Sequence, residues 1–191
     1  GREVAEITGR AMNGELDFEE SLRERVGLLA GLTEDALEDV YRNVPLTAGA
    51  SNLVHILKRL GFKTAVISGG FRFFTDRLKK DLGLDYAFAN QLDIVDGKVT
   101  GELAGPIVDG ERKALLLEQI ARDEGIALDQ VIAIGDGAND LPMLGKAGLG
   151  IAFNAKARVR EQADYHISHQ GLDSILYLLG LSEQELEEAI A

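Results

Sequence analysis

Val131-Ile132-Ala133-Ile134-Gly135-Asp136-Gly137-Ala138-Asn139-Asp140 is the stretch whose reading decides the fold. Its apolar, largely β-branched first half is the most strand-like run in the chain, and Gly135 stops it. The six residues from Gly135 to Asp140 then put two carboxylates and a carboxamide into one tight turn that opens a helix. Where strands alternate with helices, ligands bind at the carboxyl ends of the strands, and this turn falls at such an end. Hard oxygen donors on a short turn suit Mg²⁺, which takes one or two protein carboxylates and completes its shell with phosphate oxygens and water. The competing reading is a plain turn using Gly, Asp and Asn for their tolerance of positive φ, with Asn139 or Asp140 capping the helix. The buried strand immediately before the six-residue string weighs against it.

Upstream, Lys63-Thr64-Ala65-Val66-Ile67-Ser68 is a second strand-like run, ending at Gly69-Gly70 and preceded by a helix marked by Leu53, Ile56, Leu57 and Leu60. A hydroxyl and backbone N–H groups without side chains in the way can hold phosphate oxygens at Ser68-Gly69-Gly70; a flexible loop with a capping serine is the alternative. A helix from about Arg72 to Leu82 leads to a short strand at Tyr86-Ala87-Phe88-Ala89. From Gln91 to Val108 the pattern changes to a hairpin, with Asp96-Gly97 as the tight turn between Leu92–Val95 and Lys98–Leu103. A helix over about Glu111 to Glu124 precedes the decisive strand. Leu149–Ala152 and His166-Ile167 are weaker strands, and Leu172 to Ala191 reads as helical. The class is therefore α/β: a parallel sheet with helices on both faces and an antiparallel excursion.

Residues 3 to 43 read as helices only, with Asp17 and Thr33 as caps. Pro45 and the small residues around Ala48-Gly49 mark the one plausible boundary, so we divide the chain at residues 1–46 and 47–191.

Two basic positions stand out against their surroundings. Lys113 lies on the same helical stripe as Leu117 and Ile120, so its ammonium needs an anion unless it snorkels to the helix end. Arg25 shares a face with Phe18, Leu22 and Leu29, whereas Arg23 faces away and has Glu19 as an ordinary i,i+4 partner. A guanidinium on an apolar face suits bidentate grip of a carboxylate, with a salt bridge inside this acidic protein as the alternative. The three histidines, His55, His166 and His169, form no helical metal pair and read as structural or surface residues.

The formal charge of −12 over 191 residues argues against nucleic acid and against an anionic membrane surface as partners. Zero cysteines exclude a disulfide framework and thiolate metal sites, and no apolar run reaches the roughly 18 residues of a membrane span. Neither a secretory signal nor an internal repeat is visible, and a cytoplasmic location is expected.

The order Ser68-Gly69-Gly70, Lys113, Gly135-Asp136-Gly137-Ala138-Asn139-Asp140 resembles the haloacid dehalogenase-like phosphatases. Within them it is similar to the phosphoserine phosphatase family, through Met12–Phe18 with Ser21–Val26, Leu84–Asn90 and Gly150–Lys156. The resemblance implies a Rossmann-like core over 47–191, a small helical cap over 1–46, and Mg²⁺ as cofactor. It also implies hydrolysis of O-phospho-L-serine through an aspartyl-phosphate intermediate, as the last step of serine biosynthesis. By that resemblance Ser68, Gly69 and Lys113 hold the phosphoryl group, Asp136 ligates the metal, and Asn139 and Asp140 support phosphate and metal, with Asp140 as second metal residue. Arg25 would bind the substrate carboxylate, with Met12 and Phe18 near the pocket. The family's first motif, Asp-x-Asp-x-Thr after the first strand, belongs before Gly1, and no Asp-x-Asp pair occurs in the 191 residues. Its two aspartates would be the nucleophile and the acid/base, so the chain alone is expected to be inactive and the sheet to lack its central first strand. An upstream segment or regulatory domain of the same protein is the expected partner. Two other readings remain open: a phosphatase for another small phosphomonoester, and a non-catalytic module that binds phosphate or phosphoserine.

Overall fold

The computed structural model describes residues 2–190 and divides them into two compact units. One comprises Gly1–Pro45, Ser68–Arg77 and Phe88–Asp109; the other comprises Leu46–Ile67, Leu78–Ala87 and Gly110–Ala191.

The first unit begins with three helices, α1 (Arg2–Met12), α2 (Phe18–Gly27) and α3 (Glu34–Asn43). Asp17 starts α2 through a reciprocal box: its carboxylate accepts from Glu20 N at 2.8 Å, and Glu20 accepts from Asp17 N at 2.9 Å. Such a cap contributes about 1 kcal/mol. Thr33 caps α3 by accepting from Ala36 N at 3.2 Å. Helix α4 (Ala50–Arg59) belongs to the second unit and leads into strand β1 (Ala65–Phe71). Helix α5 (Arg72–Leu82) follows, then β2 (Tyr86–Val95) and β3 (Lys98–Ala104). β2 and β3 pair antiparallel around Asp96-Gly97, both at positive φ (51° and 72°), as the sequence predicts for a two-residue turn. The separate short strand expected at Tyr86–Ala89 is instead continuous with the hairpin arm as one strand, whose pairing with β3 carries an irregularity between Leu92 and Ile94. The apolar faces of α2, α3 and the hairpin meet in a core of Leu22, Val26, Leu37, Leu92 and Val99, with Phe18 and Leu29 packed beside it.

The rest of the second unit runs α6 (Gly110–Asp123), β4 (Ile132–Gly135), α7 (Leu141–Lys146), β5 (Leu149–Phe153), α8 (Ala157–Arg160), β6 (Tyr165–Ile167), α9 (Ile175–Leu178) and α10 (Glu183–Ile190). β4, β5 and β6 form a parallel sheet, with Ile134 opposite Ile151 and Ala152 opposite His166. Its faces bury different sets of side chains. Ile151 and Phe153 join Leu53, Ile56, Ile167 and Leu176 on one side, while Ala152 joins Ala133, Leu117, Met143 and Val159 on the other. Helices therefore cover both faces, as parallel sheets require. The segment read as helical over 172–191 holds two helices, α9 and α10, with Gly180 at φ 75° between them, and Ala191 lies outside the described residues.

Among the described residues the strands form two three-stranded sheets, β1-β2-β3 and β4-β5-β6. β1 ends one and β4 ends the other. No helix of the described residues is long and apolar enough to cross a membrane.

Candidate functional site

The predicted site residues fall into two groups, one in each unit. In the second unit the sheet delivers Gly135 to the carboxyl end of β4, and the chain turns back on itself. Asp140, 5% exposed, folds under that turn. Its Oδ2 accepts from Asp136 N and Gly137 N at 3.1 Å each. Its Oδ1 accepts from Lys113 Nζ at 2.7 Å. The apolar stripe of α6 does bury Lys113, at 6% exposure, and Asp140 is the anion its ammonium requires. Two glycines make the arrangement possible. A Cβ on Gly135 would sit 2.5 Å from Asp140 Cβ, and one on Gly110, at the start of α6, would sit 2.7 Å from Asn139 O. α6 can therefore press its first turn against the acidic turn and bring Lys113 beneath it.

Asp136 and Asn139 point outward: both are exposed, and the Asp136 carboxylate has no hydrogen-bond or ion-pair partner among the described residues. The donor set thus separates into roles. Asp140 is committed to Lys113 and to the turn's own backbone, while Asp136 offers a free carboxylate on a turn whose shape Asp140 holds. No group of three or more His, Asp or Glu side chains comes together among the described residues. One free carboxylate on a rigid turn still fits Mg²⁺, whose shell is filled mainly by water and phosphate oxygens.

In the first unit Ser68, Gly69 and Gly70 form the end of β1 and are half-buried. Ser68 Oγ accepts from Gly70 N at 2.9 Å. The strand expected to stop at Gly69-Gly70 runs on to Phe71, and Phe18 lies over this stretch, with its Cζ 3.4 Å from where a Gly69 Cβ would be. Arg25 is half-buried on α2, as its apolar neighbours predicted. Arg23 pairs with Glu19 at 2.8 Å, but among the described residues Arg25 has no carboxylate partner and donates from Nε to Ser21 O at 3.1 Å. The internal salt bridge weighed for Arg25 is absent there, and its terminal nitrogens remain available. Met12 closes α1, and its side chain lies outside the described residues. His55, His166 and His169 are exposed.

The sequence gives no role to Asn90 beyond its place in the Leu84–Asn90 resemblance, yet it is 1% exposed on β2 and bonded to Gly69 O and Val108 N. The available signal was a carboxamide directly after the strand-like Tyr86-Ala87-Phe88-Ala89, where such a residue is a poor strand former. Gly110 and Gly135 were likewise unremarked as close-approach positions.

Residues 1–145 match the family of haloacid dehalogenase-like hydrolases. The chain is 54% identical to the phosphoserine phosphatase of Streptomyces coelicolor over 98% of its own length and 46% of that protein's. It is 52% identical to the phosphoserine phosphatase of Archaeoglobus fulgidus, over 95% of this chain and 53% of that one. It thus spans about half the length of these relatives. Among solved structures, a phospho-aspartyl intermediate analogue of a phosphoserine phosphatase superimposes with a TM-score of 0.84 at 46% identity, covering 93% of this chain and 85% of that one.

Proposed function

Because the chain belongs to the haloacid dehalogenase-like hydrolases, we propose that it is the phosphate- and metal-binding part of an enzyme that hydrolyses O-phospho-L-serine to L-serine and phosphate. The observation that carries the proposal is the buried Lys113–Asp140 pair beneath a turn that presents a free Asp136 carboxylate. A structural ion pair would need no such turn at a strand's carboxyl end. The named activities of the relatives support phosphoserine as substrate, and Arg25, half-buried without a carboxylate partner among the described residues, supports a substrate carrying a carboxylate.

In this reading Ser68 and Gly69 donate hydrogen bonds to phosphate oxygens. Lys113, oriented by its bond to Asp140, neutralises charge on the transferring group. Asn139 adds a neutral donor to phosphate, and Phe18 and Met12 line the place where the serine moiety sits. Asp136 holds Mg²⁺, with Asp140 shaping its turn. When bound, the ion screens the repulsion between phosphate and an attacking carboxylate. That carboxylate belongs to an Asp-x-Asp-x-Thr segment outside these 191 residues. Its first aspartate attacks phosphorus, and its second protonates the departing serine oxygen and then activates water to release phosphate. Residues 1–46 act as the helical cap and 47–191 as the core, in a cytoplasmic enzyme of serine biosynthesis.

The absence of any Asp-x-Asp pair favours a second reading, a module that binds phosphate without cleaving it. Phosphate release from O-phospho-L-serine by the chain joined to such a segment separates the two. Turnover that depends on Mg²⁺ and stops with EDTA supports the enzyme; phosphate binding without turnover supports the module.

A further inference from the structure

Asn90 is the one polar residue among the most deeply buried described side chains. A carboxamide in that position is costly unless both of its ends are bonded. Both are: Nδ2 donates to Gly69 O at 2.9 Å, and Oδ1 accepts from Val108 N at 2.7 Å. A leucine would fill similar volume but leave that carbonyl and that N–H without partners.

The carbonyl that Asn90 holds belongs to the Gly69–Gly70 peptide, and the two ends of a peptide unit move together because it is planar. Its N–H donates to Ser68 Oγ at 2.9 Å. Turning this peptide would therefore break the Asn90 bond and the Ser68 bond at once. Glycine on either side gives the peptide no steric preference of its own, so an external pin is needed. With its oxygen engaged as acceptor, the Ser68 hydroxyl keeps its proton for a further acceptor.

We propose that Asn90 is a positioning residue for phosphate binding, holding the Gly69–Gly70 peptide so that Ser68 presents its hydroxyl proton to a phosphate oxygen. The proposal rests on the reading of Ser68 as a phosphate-binding group. Through Val108 the same carboxamide also anchors the segment that enters α6 two residues later.

The test uses inorganic phosphate as probe and the Gly70 amide as a local reporter. Asn90→Asp is nearly isosteric and still accepts from Val108 N, but it turns an acceptor towards Gly69 O. It should speed hydrogen exchange at the Gly70 amide about tenfold and weaken phosphate binding by about the same factor, a loss on the scale of one hydrogen bond to a charged group. In a Ser68→Ala background the same substitution should add little to the loss of phosphate affinity, since the hydroxyl it positions is gone. Unchanged Gly70 exchange, or an equal loss of affinity with and without the Ser68 hydroxyl, overturns the proposal. A parent chain that binds no phosphate overturns the functional reading, while Gly70 exchange still decides whether Asn90 holds the peptide. Should Asn90→Asp not fold, Asn90→Ser provides the same comparison with a smaller side chain.

Discussion

Asp136 and Asp140 are four residues apart in one turn and chemically identical, yet the structure gives them opposite surroundings. Spacing alone put both near a metal; it could not say which would fold inward, because that depends on Gly135 leaving room for the Asp140 side chain. Asp136→Asn should therefore weaken Mg²⁺ binding severely while changing stability by no more than about 0.5 kcal/mol, as for an ordinary exposed position. Asp140→Asn removes the charge opposite a buried ammonium and should cost about 3–5 kcal/mol. Calorimetric Mg²⁺ titration and urea unfolding of the two variants measure the contrast, and equal stability losses would refute the division of roles. Arg25 was legible from its apolar neighbours on the helix face, although its lack of an acidic partner was not, since that depends on which carboxylates fold nearby. Arg25→Ala should lower kcat/KM for phosphoserine at least tenfold more than for a phosphate ester lacking the carboxylate. The factor follows from about 1.5–3 kcal/mol for a charge-assisted contact. It is measured in protein supplied with the catalytic aspartates, and equal losses on both substrates would return Arg25 to a structural role.

Elements were readable where the signal is local. Asp17, Thr33 and Asp96-Gly97 each act within three residues of sequence, and each starts or turns the element expected of it. The run of β2 from Tyr86 through Val95 and the turn at Gly180 between α9 and α10 are set by backbone pairing and by one glycine's φ, neither of which leaves a periodic trace. The entry to β2 provides a pH prediction. Asp85 accepts from Thr64 N at 2.8 Å and from Thr64 Oγ1 at 3.2 Å, joining the start of β2 to the segment before β1. Burial pushes its pKa up, but these hydrogen bonds and the charges of Lys63 and Lys58 outweigh burial and hold it below the ordinary carboxylate value. A carboxylate depressed in the folded state stabilises above its unfolded pKa and loses that contribution as pH falls through the folded one. Asp85→Asn should therefore lower the melting temperature at pH 7 and narrow its gap to the parent below about pH 4. A gap that is constant over this range would exclude Asp85 as a source of acid sensitivity.

Across the whole molecule, exposure follows the borders of the sheets. β5 has a strand on each side and buries four of its five residues, whereas β4 buries only Ala133 and β1 buries none. The two strands read from sequence as apolar runs, but such runs look alike whether a strand is central or at an edge, so only the absence of an Asp-x-Asp motif hinted at open borders. Among the described residues β1 and β4 each pair with a strand on one side only, and the open edge of a strand is a template for another strand. A peptide with an apolar strand ending in Asp-x-Asp-x-Thr should therefore bind and raise the melting temperature, since a ligand specific to the folded state at 100 times its Kd adds about 2.7 kcal/mol. If its two aspartates reach the residues proposed to bind phosphate, hydrolysis of phosphoserine should appear along the same saturation curve. Replacing the first aspartate of the peptide by asparagine should leave the stabilisation intact and abolish turnover, because pairing needs only backbone groups and attack needs the carboxylate. Melting temperature and phosphate release measured across one titration distinguish these effects. Hydrolysis by the 191-residue chain without any peptide would defeat the argument, since the nucleophile would then lie among residues assigned only to binding.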